Sequence, residues 1–507
     1  MTRFNKYLFN QKSLLVLLAL YFLLRLTNLT LLPIFNDEAG YLDWGWRETH
    51  IPGALYYSLY DAKQPLLLWI FGVSEIVFTD PLFAGRIVSV IFGAFLLLAI
   101  YLLAKILFNK KVAVISSILY IFVPIFVFFD RQALMESSIG AIGALSSYFF
   151  MMLLTTHAKR YAYYSGILLG LGFFIKSSGL IFIITYFFLS FFVLLKSKNK
   201  TEEMKYLTIV ICMILATTFL LFINPQFWSS LPLNLRFSFT ISELLRFPFA
   251  TWLNNARANL EISFFYLTPF IFISSLIGLY LILMTKKRKA LIFIMWIILP
   301  LLFQTIFARA TSQRYLVSYL PLLLIPASYF FQIIIEKKKS YGLALLGFSL
   351  LAPIILTSIL IFKPPLYFLI MEKTNPYWDS GYLRSFTSGY GIVEVKNYIE
   401  KNSGNDKVFV GFAINTGNPE SAMLAYFYKN ERIKAGYFDS VLFGNKLNNI
   451  ECLELPVKFY FVSRDGQQAG LNKFFSKIKT FKNPYSDYSI GIYTLKKPCH
   501  GKTLKLL

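Results

Sequence analysis

The sequence predicts a polytopic α-helical membrane protein with a soluble α/β domain at its C-terminal end. Three observations predict it. Hydrophobic residues fill 56% of the 507 positions and aromatic residues 18%, and the mean hydropathy of +0.58 lies well above that of a soluble domain. The apolar residues are gathered into runs of membrane-crossing length. From about Lys363 the composition changes to mixed charges, Gly, Asn and short apolar stretches, which divides the chain into a transmembrane part, 1–362, and a soluble part, 363–507.

A crossing needs about 20 apolar residues, and candidates lie near 13–33, 83–107, 112–129, 138–156, 161–175, 179–195, 206–223, 264–284, 290–307, 316–334 and 341–362, about eleven in all. Arg3, Lys6 and Lys12 precede the first run, which is long and has no small-residue cleavage site after it, so it reads as a retained anchor. The apolar segment 65–79 is shorter and reads as an interfacial or re-entrant helix. Basic clusters mark the cytoplasmic side of a membrane. With this assignment the clusters at 3–12, 105–111, 159–160, 196–205, 286–289 and 336–339 all fall inside, and the longer loops with their carboxylates fall outside together with the tail. Counting 65–79 as a crossing would invert every later loop. The expected location is the plasma membrane of a cell with an envelope, with the N-terminus cytoplasmic and the tail extracytoplasmic.

In the tail, 391–401 reads as an amphipathic helix, 407–413 as a buried strand, 419–428 as a helix, and 458–463 and 488–495 as strands. Alternating elements over this length suggest a small α/β domain with its own core, and no catalytic constellation stands out in it.

Several function classes are excluded. Lys and Arg number 50 against 26 Asp and Glu, a net charge of +24, yet the basic clusters punctuate apolar runs and no basic helix interleaved with aromatics offers a nucleic-acid face. His50, His157 and His500 are far apart, and the three cysteines have no zinc-ligand spacing. Cys452 and Cys499 are candidates to pair if the tail is extracytoplasmic. The GLGFFIKSS run around Gly170 to Ser178 lacks a glycine directly before its lysine, so it is no phosphate loop, and its glycines read as places of close helix approach.

The chemistry is sought where ionisable groups border apolar runs on the outer side: Asp37 with Glu38, Asp61 with Lys63, Asp130 with Arg131 and Glu136, Lys176, and Arg314. Each has a bland explanation. The acids at 37 and 38 cap a helix, Lys63 snorkels, Arg131 pairs with a neighbouring acid, Lys176 sits in a turn and Arg314 anchors an interface. Five such places on one side of a helical bundle are better explained by a shared polar cavity.

NDEAGY followed by KQPLLLW, then DRQALME, GLGFFIKSSG and SQRYLVSYLP, resemble in order the motifs of GT-C membrane glycosyltransferases of the protein O-mannosyltransferase and lipid A aminoarabinose transferase (ArnT-like) type, over roughly residues 14 to 325. The family typically has two prolines after the motif lysine, where this chain has Gln64 and Pro65, and often Asp where Glu136 stands. The resemblance implies transfer of a sugar, with inversion, from a polyprenyl phosphate donor to a hydroxyl or amine of a protein, lipid or glycan acceptor on the outer face. It implies Asp37 as the catalytic base and Lys63, Arg314, Arg131 and Lys176 as binders of the donor phosphate. Glu38 and Glu136 stand as acceptor-side or supporting acids. No cofactor and no metal are expected, the lipid-linked sugar being a substrate. A transporter or flippase of lipid-linked glycans is the alternative; it calls for charges or helix breaks near the bilayer midplane, whereas these charges sit at the outer ends of the runs.

Overall fold

The computed structural model describes residues 12–285, 287–375, 380–413, 417–437, 452–454, 457–464, 474–496 and 503–505. Among them, seven helices are long and apolar enough to cross a membrane: Pro81–Leu107, Glu136–Thr156, Ser177–Lys196, Lys200–Phe222, Arg288–Phe307, Leu320–Lys337 and Lys339–Phe362. Two bent pairs, Lys110–Phe122 with Pro124–Asp130 and Phe249–Tyr266 with Pro269–Met284, raise the number to nine if each pair is one crossing. The eleven runs expected from sequence also include Lys12–Leu26 and Arg160–Ile175, which are helices of 15 and 16 residues. The segment Leu66–Val77 is a helix of 12 residues.

Each bend has a local cause. Proline lacks an amide hydrogen and pushes the preceding residue out of the helical region. Val123, ahead of Pro124, is extended at φ −69° and ψ 119°, and the two helices meet at 69°. Thr268, ahead of Pro269, has φ 65°, and its pair bends by 116°. Phe249–Tyr266 is therefore a helix where the sequence suggested an outer loop, because its mixture of Asn, Arg and aromatic residues hides any apolar run.

The chain forms two compact units. The first comprises Met1–Leu29, Ala54–Leu67 and Arg86–Trp378. Its helices pack closely through the glycines of the 166–172 stretch: a side chain at Gly166 or Gly170 would overlap Lys200–Phe222, and one at Gly172 would press on Ile142. At its core, Asp130 accepts hydrogen bonds from Arg25 Nε at 3.0 Å, from Tyr120 and from Ser137 Oγ at 2.8 Å. Arg25 and Asp130 are both buried. Such charges persist in an apolar interior only when paired and hydrogen-bonded. Lys363 opens a further helix, Pro364–Thr374, which packs on Lys339–Phe362.

The second unit comprises Thr30–Gly53, Leu68–Gly85 and Asp379–Leu507. Its five-stranded sheet has the order Ile433–Tyr437, Val408–Phe412, Lys458–Arg464, Ser489–Leu495, Phe475–Lys482. The first three strands are parallel, and Ser489–Leu495 runs antiparallel to both of its neighbours, Lys458–Arg464 and Phe475–Lys482. Helix Glu420–Phe427 joins the first parallel pair as its crossover. Helix Asn36–His50 belongs to this unit and packs on Glu420–Phe427. Its Gly45 meets Gly72 so closely that a Cβ at either would strike the opposite backbone.

Candidate active site

The two acids that follow the first apolar run have different environments. The first four amides of a helix lack partners within it and favour negative charge. Glu38 answers that need directly: it is fully buried, and its Oε2 accepts the Phe35 amide hydrogen at 3.0 Å. Asp37, one residue earlier in the first turn of Asn36–His50, is half-buried. Of the pair, Asp37 is the carboxylate with access to solvent, and Glu38 is the helix cap.

The cations of the first unit gather around two carboxylates. Asp61 Oδ1 takes Arg236 Nη2 at 2.8 Å and its Oδ2 lies 3.8 Å from Lys63 Nζ. Both cations also stand over the Phe237 ring, at 5.4 and 5.3 Å from its centre. The turn that presents Lys63 has Ala62 in the left-handed region, φ 55°, and is closed by Ser58 Oγ donating to the Lys63 carbonyl at 2.9 Å. The second carboxylate is Glu136, buried at the start of helix Glu136–Thr156; its Oε1 accepts both Lys176 Nζ at 3.0 Å and Arg314 Nε at 3.1 Å. Lys63, Lys176 and Arg314 each keep part of the side chain exposed, 27%, 22% and 18%, enough for a ligand to reach them.

Gln64, where the family pattern has proline, ties the two groups together. Its Oε1 accepts the Ser177 amide hydrogen at 3.0 Å, so the loop bearing Lys63 touches the turn bearing Lys176. In each cluster two cations flank a carboxylate, and such a gathering of cations suits an anionic group. Glu136 is the counter-ion of two expected phosphate binders.

Arg131 does not join them. Its guanidinium donates to the carbonyls of Leu24, Arg25, Thr27 and Asn28 at 2.6 to 3.0 Å, closing the end of helix Lys12–Leu26. It is 6% exposed, and this bonding to main chain removes it from the phosphate set. Sequence reasoning also missed Arg236. It lies in the long connection 224–263, which no motif marks, and only its approach to Asp61 singles it out. Among the described residues no group of three or more His, Cys, Asp or Glu is arranged to hold a metal ion. Cys499, the proposed partner of Cys452, lies outside the described residues, and so does their pairing.

Residues 62–222 match the family model for dolichyl-phosphate-mannose-protein mannosyltransferase. The fold is similar to that of ArnT from Cupriavidus metallidurans bound to undecaprenyl phosphate, with 13% identity, a TM-score of 0.57, and 95% of this chain and 97% of that one covered. The apo form of the same protein gives a TM-score of 0.58 over the same shares at 13% identity. The oligosaccharyltransferase of Archaeoglobus fulgidus in complex with Zn and sulfate is also similar, with 13% identity and a TM-score of 0.52 over 83% of this chain and 62% of that one. No curated protein matches the chain in sequence. With apolar helices of membrane-crossing length, this fold and the match over residues 62–222, the chain is an integral membrane glycosyltransferase of the GT-C type, mannosyltransferase-like and ArnT-like.

Proposed function

We propose that the protein transfers a sugar, with inversion, from a polyprenyl phosphate carrier to a hydroxyl or amine of a protein, lipid or glycan acceptor on the outer side of the plasma membrane. The observation that carries this reading is the pair of clusters Lys63–Asp61–Arg236 and Lys176–Glu136–Arg314, joined through Gln64 and Ser177. A sugar phosphodiester carries one negative charge and departs as a phosphate monoester with a second. Cations arranged around that phosphate therefore hold the leaving group more tightly than the donor, and such differential binding accelerates the reaction. Asp37 takes the proton of the acceptor. The acceptor's lone pair forms a bond to the anomeric carbon as the carbon–oxygen bond to phosphate breaks, and that electron pair leaves with the phosphate. A phosphate is acidic enough to leave without a strong proton donor. The undecaprenyl phosphate on the Cupriavidus relative supports a polyprenyl carrier. The reaction so drawn asks for no metal.

The test is a reconstitution in lipid that offers a polyprenyl phosphate sugar or a nucleotide sugar, each with and without a chelator. Transfer is expected from the lipid-linked sugar alone and at the same rate with the chelator. Transfer from a nucleotide sugar without a lipid carrier would overturn the donor assignment, and loss of activity on chelation would overturn the metal-free mechanism.

A further inference from the structure

The segment that leads into Asp37 is held by residues from near the far end of the sequence. Asn36 donates its amide hydrogen to the Thr387 carbonyl at 2.9 Å. Its side-chain oxygen accepts the Asn418 amide hydrogen at 2.9 Å. The Asn418 side chain, only 2% exposed, donates through Nδ2 to the Ile34 carbonyl at 3.0 Å and to the Thr387 carbonyl at 3.2 Å. Asn418 thus fastens both sides of the joint, the chain before the helix and the loop against which it lies. Between these bonds the Phe35 ring stacks on Tyr382 with centres 3.9 Å apart. Gly417, at φ 104°, leaves no room for a side chain, since a Cβ there would overlap the Asn36 amide group. Further down the helix, Asp43 accepts from Tyr428 OH, and Trp46 stacks on the same tyrosine at 5.5 Å.

We infer that Asn418 is a positioning residue for transfer: it fixes Asn36 and with it the orientation of the Asp37 carboxylate. The inference rests on the assignment of Asp37 as acceptor base. A general base works only when aimed at its proton, and a misplacement of about 1 Å costs on the order of 100-fold in rate. The amide of Asn418 is suited to this task because one planar group offers two N–H donors, which suit the carbonyls of Ile34 and Thr387. An apolar residue of the same size would take that donor from the Ile34 carbonyl and leave the Thr387 carbonyl with the Asn36 amide alone.

The test compares Asn418→Ala and Asn36→Ala with the parent in full-length protein reconstituted in lipid. Asn36→Ala removes the acceptor of the Asn418 amide without touching the core of the C-terminal unit, and it carries the test if Asn418→Ala fails to fold. Both variants are expected to lower kcat about 10- to 100-fold while the donor KM stays within about twofold, since none of the donor-side cations is altered. In the Asp37→Asn background, Asn36→Ala and Asn418→Ala are expected to have no further effect on the residual rate, because a base that is gone cannot be misplaced. An unchanged kcat in the single variants, or losses that multiply fully with that of Asp37→Asn, would overturn the inference. Normal turnover by Asp37→Asn itself would instead remove the base on which it rests, so the two failures are distinguishable.

Discussion

Asp37 and Glu38 are neighbours in one helical turn, and their surroundings assign them different tasks. Asp37→Asn keeps the size and removes the basic oxygen. It should lower turnover by about 10² to 10⁴ and leave binding of polyprenyl phosphate intact, as measured by rate and lipid-binding assays on the same preparation. Glu38→Gln weakens the bond to the Phe35 amide, a loss of about 1 kcal/mol, with most of the turnover retained. Near-normal turnover in Asp37→Asn and inactivity in Glu38→Gln would reverse the roles. On the donor side, Lys63→Ala and Arg314→Ala should each weaken binding of polyprenyl phosphate about tenfold or more. Arg314→Lys should restore only part of it, because an ammonium cannot reproduce the planar fork of a guanidinium. Equal affinity in parent and variants, read by titration with the lipid phosphate, would remove these residues from the site. Asp37, Lys63, Glu136, Lys176 and Arg314 were legible in sequence as charges beside apolar runs. Their partners were not: Glu136 meets an arginine 178 residues away, and Arg131 bonds to carbonyls more than a hundred residues earlier rather than to the acids beside it.

Among the elements of the C-terminal unit, the helices and the inner strands follow from local pattern. The run at 408–412 is apolar throughout because it is flanked by strands on both sides in a parallel arrangement. Two of the strands that the sequence did not suggest, Ile433–Tyr437 and Phe475–Lys482, are the two edges of the five-stranded sheet. Edge strands are short or carry charges that discourage pairing with other chains, and Lys477, Lys479 and Lys482 fill that role here, which is also why the segment does not read as a strand. Helix Glu420–Phe427 carries a titration of its own. Burial pushes the Glu420 carboxyl up to about 7, and the Arg464 guanidinium 3.7 Å away pulls it back only in part. The folded carboxyl holds its proton where the unfolded one, near 4.5, has lost it. Stability is therefore greatest below that value, falls as the pH rises to about 7, and then levels, a change on the order of 3 kcal/mol. Thermal melts of the full-length protein across this range should show the decline, and Glu420→Gln should flatten it. A slope that persists in Glu420→Gln would assign the titration to another group.

At the scale of the whole molecule, the sorting of basic clusters sets the expected orientation: N-terminus inside, the segment around Lys63 and the C-terminal unit outside. In a variant with the native cysteines replaced, single cysteines at the exposed positions Leu55 and Asn402 should react with an impermeant reagent in intact cells, and one at Lys198 should react only after lysis. Protection of Leu55→Cys or Asn402→Cys in intact cells would overturn the orientation. The sequence by itself determined the membrane-crossing runs, the C-terminal sheet with its inner strands and the acids and bases that border those runs, because apolar length, charge and alternation are properties of short stretches of chain. It also carried the family motifs, which lie beside those runs or at their ends. Only the tertiary structure decided that Glu136 lies between Lys176 and Arg314, that Arg131 closes a helix end, that Arg236 joins Lys63 at Asp61, and that the helix of Asp37 starts against Asn418, 382 residues away. Those pairings depend on which surfaces pack together, and no local pattern records the partner of a side chain that lies across the fold.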